Sequence, residues 1–151
     1  MQGILLRDDI IDKKILHIWQ TPWKIYQEEQ DSLYFVEYCS TYVELDDGTI
    51  FEIQWQDTYE ELPIKKCMKV EKDWLEIEDE TIRKNCYETN IIEVLTSEYI
   101  PTFCLLLNNN YILYASDYGP NQTGPLTSKI GVRYPLEYFA TYWGHKKIPN
   151  L

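Results

Sequence analysis

Histidine is scarce in this chain: there are two, His17 and His145, among 151 residues. No nearby pattern pairs either with a nucleophile, and the G-x-S-x-G elbow of hydrolases is absent. His17 reads as a structural residue in a strand, and His145 as part of a small basic patch with Lys146 and Lys147. The four cysteines, Cys39, Cys67, Cys86 and Cys104, form no C-x-x-C pair. That excludes zinc-type spacing and the cysteine density of a secreted disulfide scaffold, leaving buried free thiols in a reducing compartment. Glycines are few, and Gly119, Gly124 and Gly131 stand too far apart for a phosphate-cradling loop. The longest apolar runs, 103–107 and 111–115, fall far short of the roughly 20 residues a membrane helix needs. The opening MQGILLRDDIIDKK has a three-residue apolar run followed by acids, which is no signal peptide. The Asn121-Gln122-Thr123 sequon therefore lacks a secretory context. A cytoplasmic location with no metal and no cofactor is the expectation.

Positive charge is also in short supply. Against 25 Asp and Glu stand 14 Lys and Arg, a formal net charge of −11. Such a field opposes binding to nucleic acid or to an anionic membrane, and draws in a basic partner. Plain solubility is the competing explanation of the same charge.

What the chain has in quantity is aromatic residues, with 13 Tyr and 5 Trp. The stretch 34–55, YFVEYCSTYVELDDGTIFEIQW, has two runs rich in aromatic and β-branched residues and reads as a long β-hairpin around Asp46-Asp47-Gly48. A two-residue Asp47-Gly48 turn would set Val43 opposite Glu52. A three-residue loop with Gly48 in the left-handed conformation sets Val43 opposite Phe51, Thr41 opposite Ile53 and Cys39 opposite Trp55. Only the second register collects Cys39, Val43, Leu45, Phe51, Ile53 and Trp55 on one face, so it is the one expected. The reverse face then carries Tyr34, Tyr38, Tyr42, Glu44, Glu52 and Gln54, which suits water or a partner.

Around this hairpin the expected elements are modest. Residues 4–14 suit a short helix with Asp8 or Asp9 near its start. Residues 14–20 alternate as a strand, with Ile15, His17 and Trp19 on one side and Leu16 and Ile18 on the other. Residues 27–32 form a polar connector. Short alternating pieces occur at Met68/Val70 and Leu75/Ile77, and 81–88 is ambiguous. Strands are expected at 90–96 and 130–134, with a second hairpin, 102–107 and 111–116, around Asn108-Asn109-Asn110. Residues 117–128 read as a long loop. Pro135 opens a helix in which Leu136, Phe139, Ala140 and Trp143 share a face. There is no repeat, low-complexity tract or linker. The expectation is one domain, 1–151, of the α+β class: mostly antiparallel hairpins forming a sandwich or partly open barrel with one or two peripheral helices.

For function, the acidic clusters are the positive signal. Asp57, Glu60 and Glu61 lie near Tyr59. Glu71, Asp73, Glu76, Glu78, Asp79 and Glu80 lie near Trp74. Aromatics set among carboxylates supply hot-spot area and charge complementarity to a basic surface. The alternative is a solvated acidic face whose aromatics turn inward. Tyr118, in the segment 116–128, marks a second candidate edge.

The run Asp12-Lys13-Lys14-Ile15 leading into a strand, followed by VELDDGTIF at 43–51, resembles the immunity proteins that accompany bacterial polymorphic and contact-dependent toxins. The likeness covers about the first 55 residues in style, and the whole chain in size and charge. It implies a cytoplasmic inhibitor that binds a toxin domain, often a basic nuclease, and occludes its active site. It carries over no catalytic residues. The leading expectation is therefore a non-catalytic protein-binding inhibitor, with Asp57, Tyr59, Glu60, Glu61, Trp74, Glu76, Glu78, Asp79, Glu80 and Tyr118 as the partner-binding candidates. From a different class comes a small-molecule-binding β-barrel or sandwich lined by Tyr and Trp. An enzyme would need a pocket joining His17 to carboxylates of perturbed pKa.

Overall fold

The structure is a computed structural model that describes residues 3–27, 35–53, 64–97, 100–116, 119–125, 127 and 135–141. In chain order its strands are β1 (Ile4–Leu5), β2 (Ile15–Gln20), β3 (Lys24–Gln27), β4 (Phe35–Tyr38), β5 (Thr41–Leu45), β6 (Ile50–Glu52), β7 (Ile64–Cys67) and β8 (Leu75–Glu76). The helix α1 (Glu80–Cys86) follows, then β9 (Ile91–Ser97), β10 (Ile100–Leu107), β11 (Tyr111–Ser116), β12 (Gly119–Pro125) and β13 (Phe139–Thr141). The strands build two main sheets, in the orders β1-β7-β6-β5-β2-β8 and β12-β11-β10-β9-β13, while β3 and β4 pair by themselves. Every pairing between named strands is antiparallel. This is the α+β, hairpin-dominated class expected. Among the described residues no helix is long and apolar enough to cross a membrane.

The β5–β6 hairpin has the three-residue loop. Val43 faces Phe51, Gly48 N donates to Leu45 O at 3.0 Å, and Gly48 takes a φ of +87°. A side chain there would be strained, which is why glycine occupies the position. Cys39, Val43, Leu45, Phe51 and Ile53 are all buried. The hairpin is shorter than the sequence suggests, however. The run 34–45 breaks after Tyr38, and Phe35–Tyr38 pairs with Lys24–Gln27 rather than prolonging β5. Gln27, expected to open a polar connector, is the last residue of β3, while 28–32 and Trp55 lie outside the described residues.

A bulge shapes β2. Ile15 pairs with Leu45 but His17 pairs with Glu44, so Leu16 is the extra residue. Strict alternation would set Ile15 with His17 and Trp19. The bulge instead turns Ile15 and Ile18 into the core and leaves His17 and Trp19 together on the outer face.

Three other expectations change. Residues 4–14 form β1 and a 3-10 turn, Arg7–Asp9, not a helix. The segment Gly119–Pro125 is not loop but strand β12, zipped to β11 from Tyr111↔Pro125 to Ser116↔Gly119. Its glycines and prolines sit on an edge strand, where a missing ladder donor costs least. Instead of a helix, residues after Pro135 make a 3-10 turn, Leu136–Tyr138, and then β13, which pairs Phe139 with Ser97. The ladder with β9 outcompetes a helical face that local spacing alone proposes. The ambiguous 81–88 resolves as α1 with Asp79 as its N-cap, and the hairpin around Asn108-Asn109-Asn110 forms as expected, with Asn110 at φ +69°. The strand expected at 130–134 lies outside the described residues.

One hydrophobic cluster joins the two main sheets and α1. It takes Ile18, Val43, Phe51 and Ile64 from the first sheet, Ile82 and Cys86 from the helix, and Ile91, Val94, Phe103, Leu105 and Leu113 from the second. A smaller cluster on the second sheet's other face holds Leu95, Cys104, Leu106, Ile112 and Phe139. Thus β10 is buried on both faces, as its unalternating FCLLL implies. The sheets are also tied at one end, where Ile91 N donates to Lys13 O at 3.0 Å and Ile15 N to Thr89 O at 2.9 Å. Beside this seam Arg7 forms a two-pronged ion pair with Glu93 of β9: Nε to Oε1 at 2.6 Å and Nη2 to Oε2 at 2.8 Å.

Candidate functional site

The outer face of the first sheet brings chemistry-bearing side chains together. Strand pairing sets Glu76, Trp19, Tyr42 and Glu52 in a row across β8, β2, β5 and β6. His17 and Glu44 pair in the neighbouring row. Trp74, just before β8, stacks on Tyr42 with ring centroids 4.2 Å apart and planes 19° from parallel. Trp19 Nε1 donates to Glu44 Oε1 at 3.1 Å, and the Trp19 ring lies 5.5 Å from that of His17. All of these side chains are half-buried, so the sheet presents an aromatic surface set with carboxylates.

At one end of this face Glu76 is the hub. Its Oε1 accepts from His17 Nδ1 at 2.5 Å and from Tyr87 Oη at 2.9 Å, while Arg83 Nη2 lies 3.9 Å from Oε2. Tyr87 Oη also accepts from Ile18 N at 3.1 Å, and the Arg83 guanidinium sits 5.2 Å from the Tyr87 ring centre. Burial works against the Glu76 charge, but the bonds from His17 and Tyr87 and the nearby Arg83 outweigh it and hold the carboxyl below its ordinary range. Burial, with the Glu52 charge beside it, pushes the Tyr42 hydroxyl up to about 12. Burial likewise raises the Glu52 carboxyl, with Lys65 acting in the opposite direction.

These placements sort the sequence candidates. Trp74 and Glu76 belong to the face. Asp79 instead caps α1, accepting from Ile82 N at 3.0 Å, and the exposed Glu78 and Glu80 flank it at the entry to the helix. Asp57, Tyr59, Glu60, Glu61 and Tyr118 lie outside the described residues. His17, Trp19, Arg83 and Tyr87 were not singled out as partner-binding residues from the sequence. The bulge that turns His17 and Trp19 outward has no local sequence signature, and His17 meets Glu76 across 59 residues of chain. Tyr42, Glu44 and Glu52 were legible as one face of the hairpin, but nothing in the sequence set Trp74 on top of them. Among the described residues no group of His, Cys, Asp and Glu is arranged to hold a metal ion.

No known protein family, curated protein or solved structure matches this chain.

The acidic groups give the protein a defined response to acid. Burial opposes the charge of Asp47, but bonds from the Lys13 ammonium and from Thr49 lower its carboxyl to about 2. Its folded pKa thus lies below the unfolded value of about 3.9, so its stabilisation is full above that value and is lost as pH falls toward 2. With the side chain 39% exposed, solvent screening keeps the contribution under about 1 kcal/mol. Glu52 has the opposite sign: its raised pKa means that protonation relieves a cost. Urea midpoints taken at pH 5 and pH 2.5 should therefore fall with acid in the native protein. The fall should shrink in Asp47→Asn and grow in Glu52→Gln, and the reverse ordering would contradict these assignments.

Proposed function

We propose that this protein is a non-catalytic protein-binding inhibitor, a cytoplasmic immunity-type protein that neutralises a basic partner such as a toxin domain. The partner would be met on the outer face of the first sheet. In this reading the two main sheets form a sandwich around the shared core, leaving that outer face free to bind. The supporting observation is the Tyr42–Trp74 stack set among Glu44, Glu52 and Glu76. Large, rigid aromatics lose little entropy on binding, and a ring of carboxylates excludes wrong partners while steering a cationic one inward. The net charge of −11 extends that attraction beyond contact distance.

Affinity capture from the native source, at low and moderate salt, tests the reading. A stoichiometric basic protein should co-purify and be released by added salt. The double variant Trp74→Ala/Glu44→Lys should weaken that complex by about 2 kcal/mol or more, roughly 30-fold in Kd. Glu78→Lys, away from the aromatic stack, should change mainly the association rate. Capture of no basic partner, or a complex that tolerates the double variant, would remove the support for this function.

A further inference from the structure

The connection between β7 and β8, residues 68–74, has a long way to travel. Three strands, β6, β5 and β2, stand between its ends, and four antiparallel steps leave β8 running in the direction of β7. The segment therefore crosses a face of the sheet. Its far end fixes which one, because Trp74 stacks on Tyr42, a residue of the outer face of β5. Four strand spacings come to about 19 Å, and a fully extended chain from Cys67 to Leu75 reaches about 26–29 Å. The turn that Trp74 N closes on Glu71 O at 3.2 Å uses part of that reach, so the segment lies close to the sheet. Ile50 pairs with Cys67 and Glu44 on the outer side, where this path begins. It is only 6% exposed, yet it belongs to neither core cluster.

Little holds this segment down. Met68, Lys69, Glu71, Lys72 and Asp73 are exposed, and Val70 is half-buried. Among the described residues, 68–73 make no ion pair, and their hydrogen bonds are Cys67 Sγ to Lys69 O at 3.3 Å and the Glu71 turn. Next, β8 adds a two-residue ladder at the edge of the sheet, extended by Ile77 N donating to Ile18 O at 2.9 Å. Glu76 ties it to His17 and Tyr87. Of the whole stretch 68–78, Ile77 alone belongs to a core cluster. Both ends are firm by contrast: Cys67 sits in the β7 ladder opposite Ile50, and Asp79 caps α1. Stretches with so few buried apolar contacts open locally at a fraction of the cost of global unfolding.

We propose that residues 68–78 act as a latch: they swing open as a unit, peeling β8 from β2, while both main sheets and α1 stay folded. Shut, the latch lays Trp74 on Tyr42 and sets Glu76 against His17. Open, it takes Trp74 and Glu76 away from the candidate face and frees the edge of β2. The consequence for binding rests on the reading of that face as the partner's surface. A partner that touches Trp74 or Glu76 selects the shut form, so the latch sets the fraction of the protein competent to bind.

Amide hydrogen exchange of the intact protein, followed by NMR over a series of low urea concentrations, tests the latch without a partner. Ile77, whose N–H is bonded to Ile18 O, is compared with amides of the β9–β10 ladder. Ile77 should exchange at least about 100-fold faster, with a much shallower dependence on urea, because opening the latch exposes little surface. Phe103→Leu, in the buried core of the second sheet, separates the two routes. It weakens the fold equally with the latch shut or open. It should therefore speed the β9–β10 amides by about five- to tenfold and leave Ile77 unchanged. Exchange of Ile77 at the rate and urea slope of the ladder, or equal acceleration of both by Phe103→Leu, would overturn the proposal. The outcome is separable from that of the capture experiment. A basic partner captured from cells, with Ile77 exchanging only by global unfolding, leaves the function standing and refutes the latch. Local opening at Ile77 with no partner captured does the reverse.

Discussion

Phe51→Ala should cost about 3–5 kcal/mol, the largest loss expected from any single change in the described core. Phe51 is fully buried and, from the centre of the β5–β6 hairpin, enters the cluster that both sheets share. Truncation removes the transfer free energy of the ring and leaves a cavity. The cluster it belongs to draws Ile18 and Val43 from one sheet and Phe103 and Leu105 from the other, so strands anchored by two separate ladders would have to shift to refill it. Domains of this size are stable by about 5–15 kcal/mol, so the variant would sit near the limit of folding at room temperature. Urea denaturation followed by tryptophan fluorescence measures the change. Phe51→Leu, which keeps most of the volume, should cost about 1–1.5 kcal/mol. A Phe51→Ala loss below 1 kcal/mol would mean that this ring does not fill the shared core.

Arg7→Ala should cost about 2–3 kcal/mol, by a different route. Glu93 has a side chain only 11% exposed, and its two oxygens accept the two prongs of Arg7 while Oε1 also accepts from Val94 N. Removing Arg7 leaves a largely buried carboxylate without its cation. The full penalty for such a break is about 3–5 kcal/mol, and the 39% exposure of Arg7 lets water recover part of it. The Glu93 bond favours the Arg7 charge and outweighs the burial that opposes it, so the guanidinium holds its proton even more firmly than usual. A double-mutant cycle with Glu93→Gln isolates the pair: the second substitution should recover much of the loss, because a neutral amide is cheaper to bury unpaired. Strictly additive losses would show that Arg7 acts through the packing of its turn and not through Glu93.

How much of this was legible in the chain depends on how local the determinant is. The β5–β6 hairpin could be read to its register because the Asp46-Asp47-Gly48 loop and the alternation of Val43, Leu45, Phe51 and Ile53 agree within a dozen residues. The same holds for the Asn108-Asn109-Asn110 hairpin, whose turn residues accept left-handed angles. Where the deciding partner is remote, the sequence misled. Leu136, Phe139 and Ala140 have helical spacing, yet the β9 edge claims Phe139 for a strand. Phe35–Tyr38 looks continuous with β5, yet it turns aside to pair with β3. The candidate face divides the same way. Tyr42, Glu44 and Glu52 follow from the hairpin register, whereas His17 and Trp19 join them only through a bulge at Leu16. Trp74 and Glu76 arrive with the short piece read from the alternation of Leu75 and Ile77, but its place beside β2 depends on a pairing across more than fifty residues that local spacing does not reveal.

The strand order of the first sheet has a consequence for how the chain is made. β2 lies between β5 and β8, and β1 has β7 as its neighbour. As the polypeptide leaves the ribosome, β1 and β2 therefore emerge before any strand they will join. At about 5–20 residues per second, the apolar side chains of Ile15 and Ile18 wait seconds for Val43 and Leu45, and longer for the helix beyond β8. The second sheet is the reverse case, because β9, β10, β11 and β12 pair in the order in which they are synthesised. The early half of the molecule is thus the part exposed to chaperones and proteases during synthesis. The late half can zip up as it appears and then offer the start of β9, at Ile91 and clear of β13, to Lys13 of the waiting N-terminal segment.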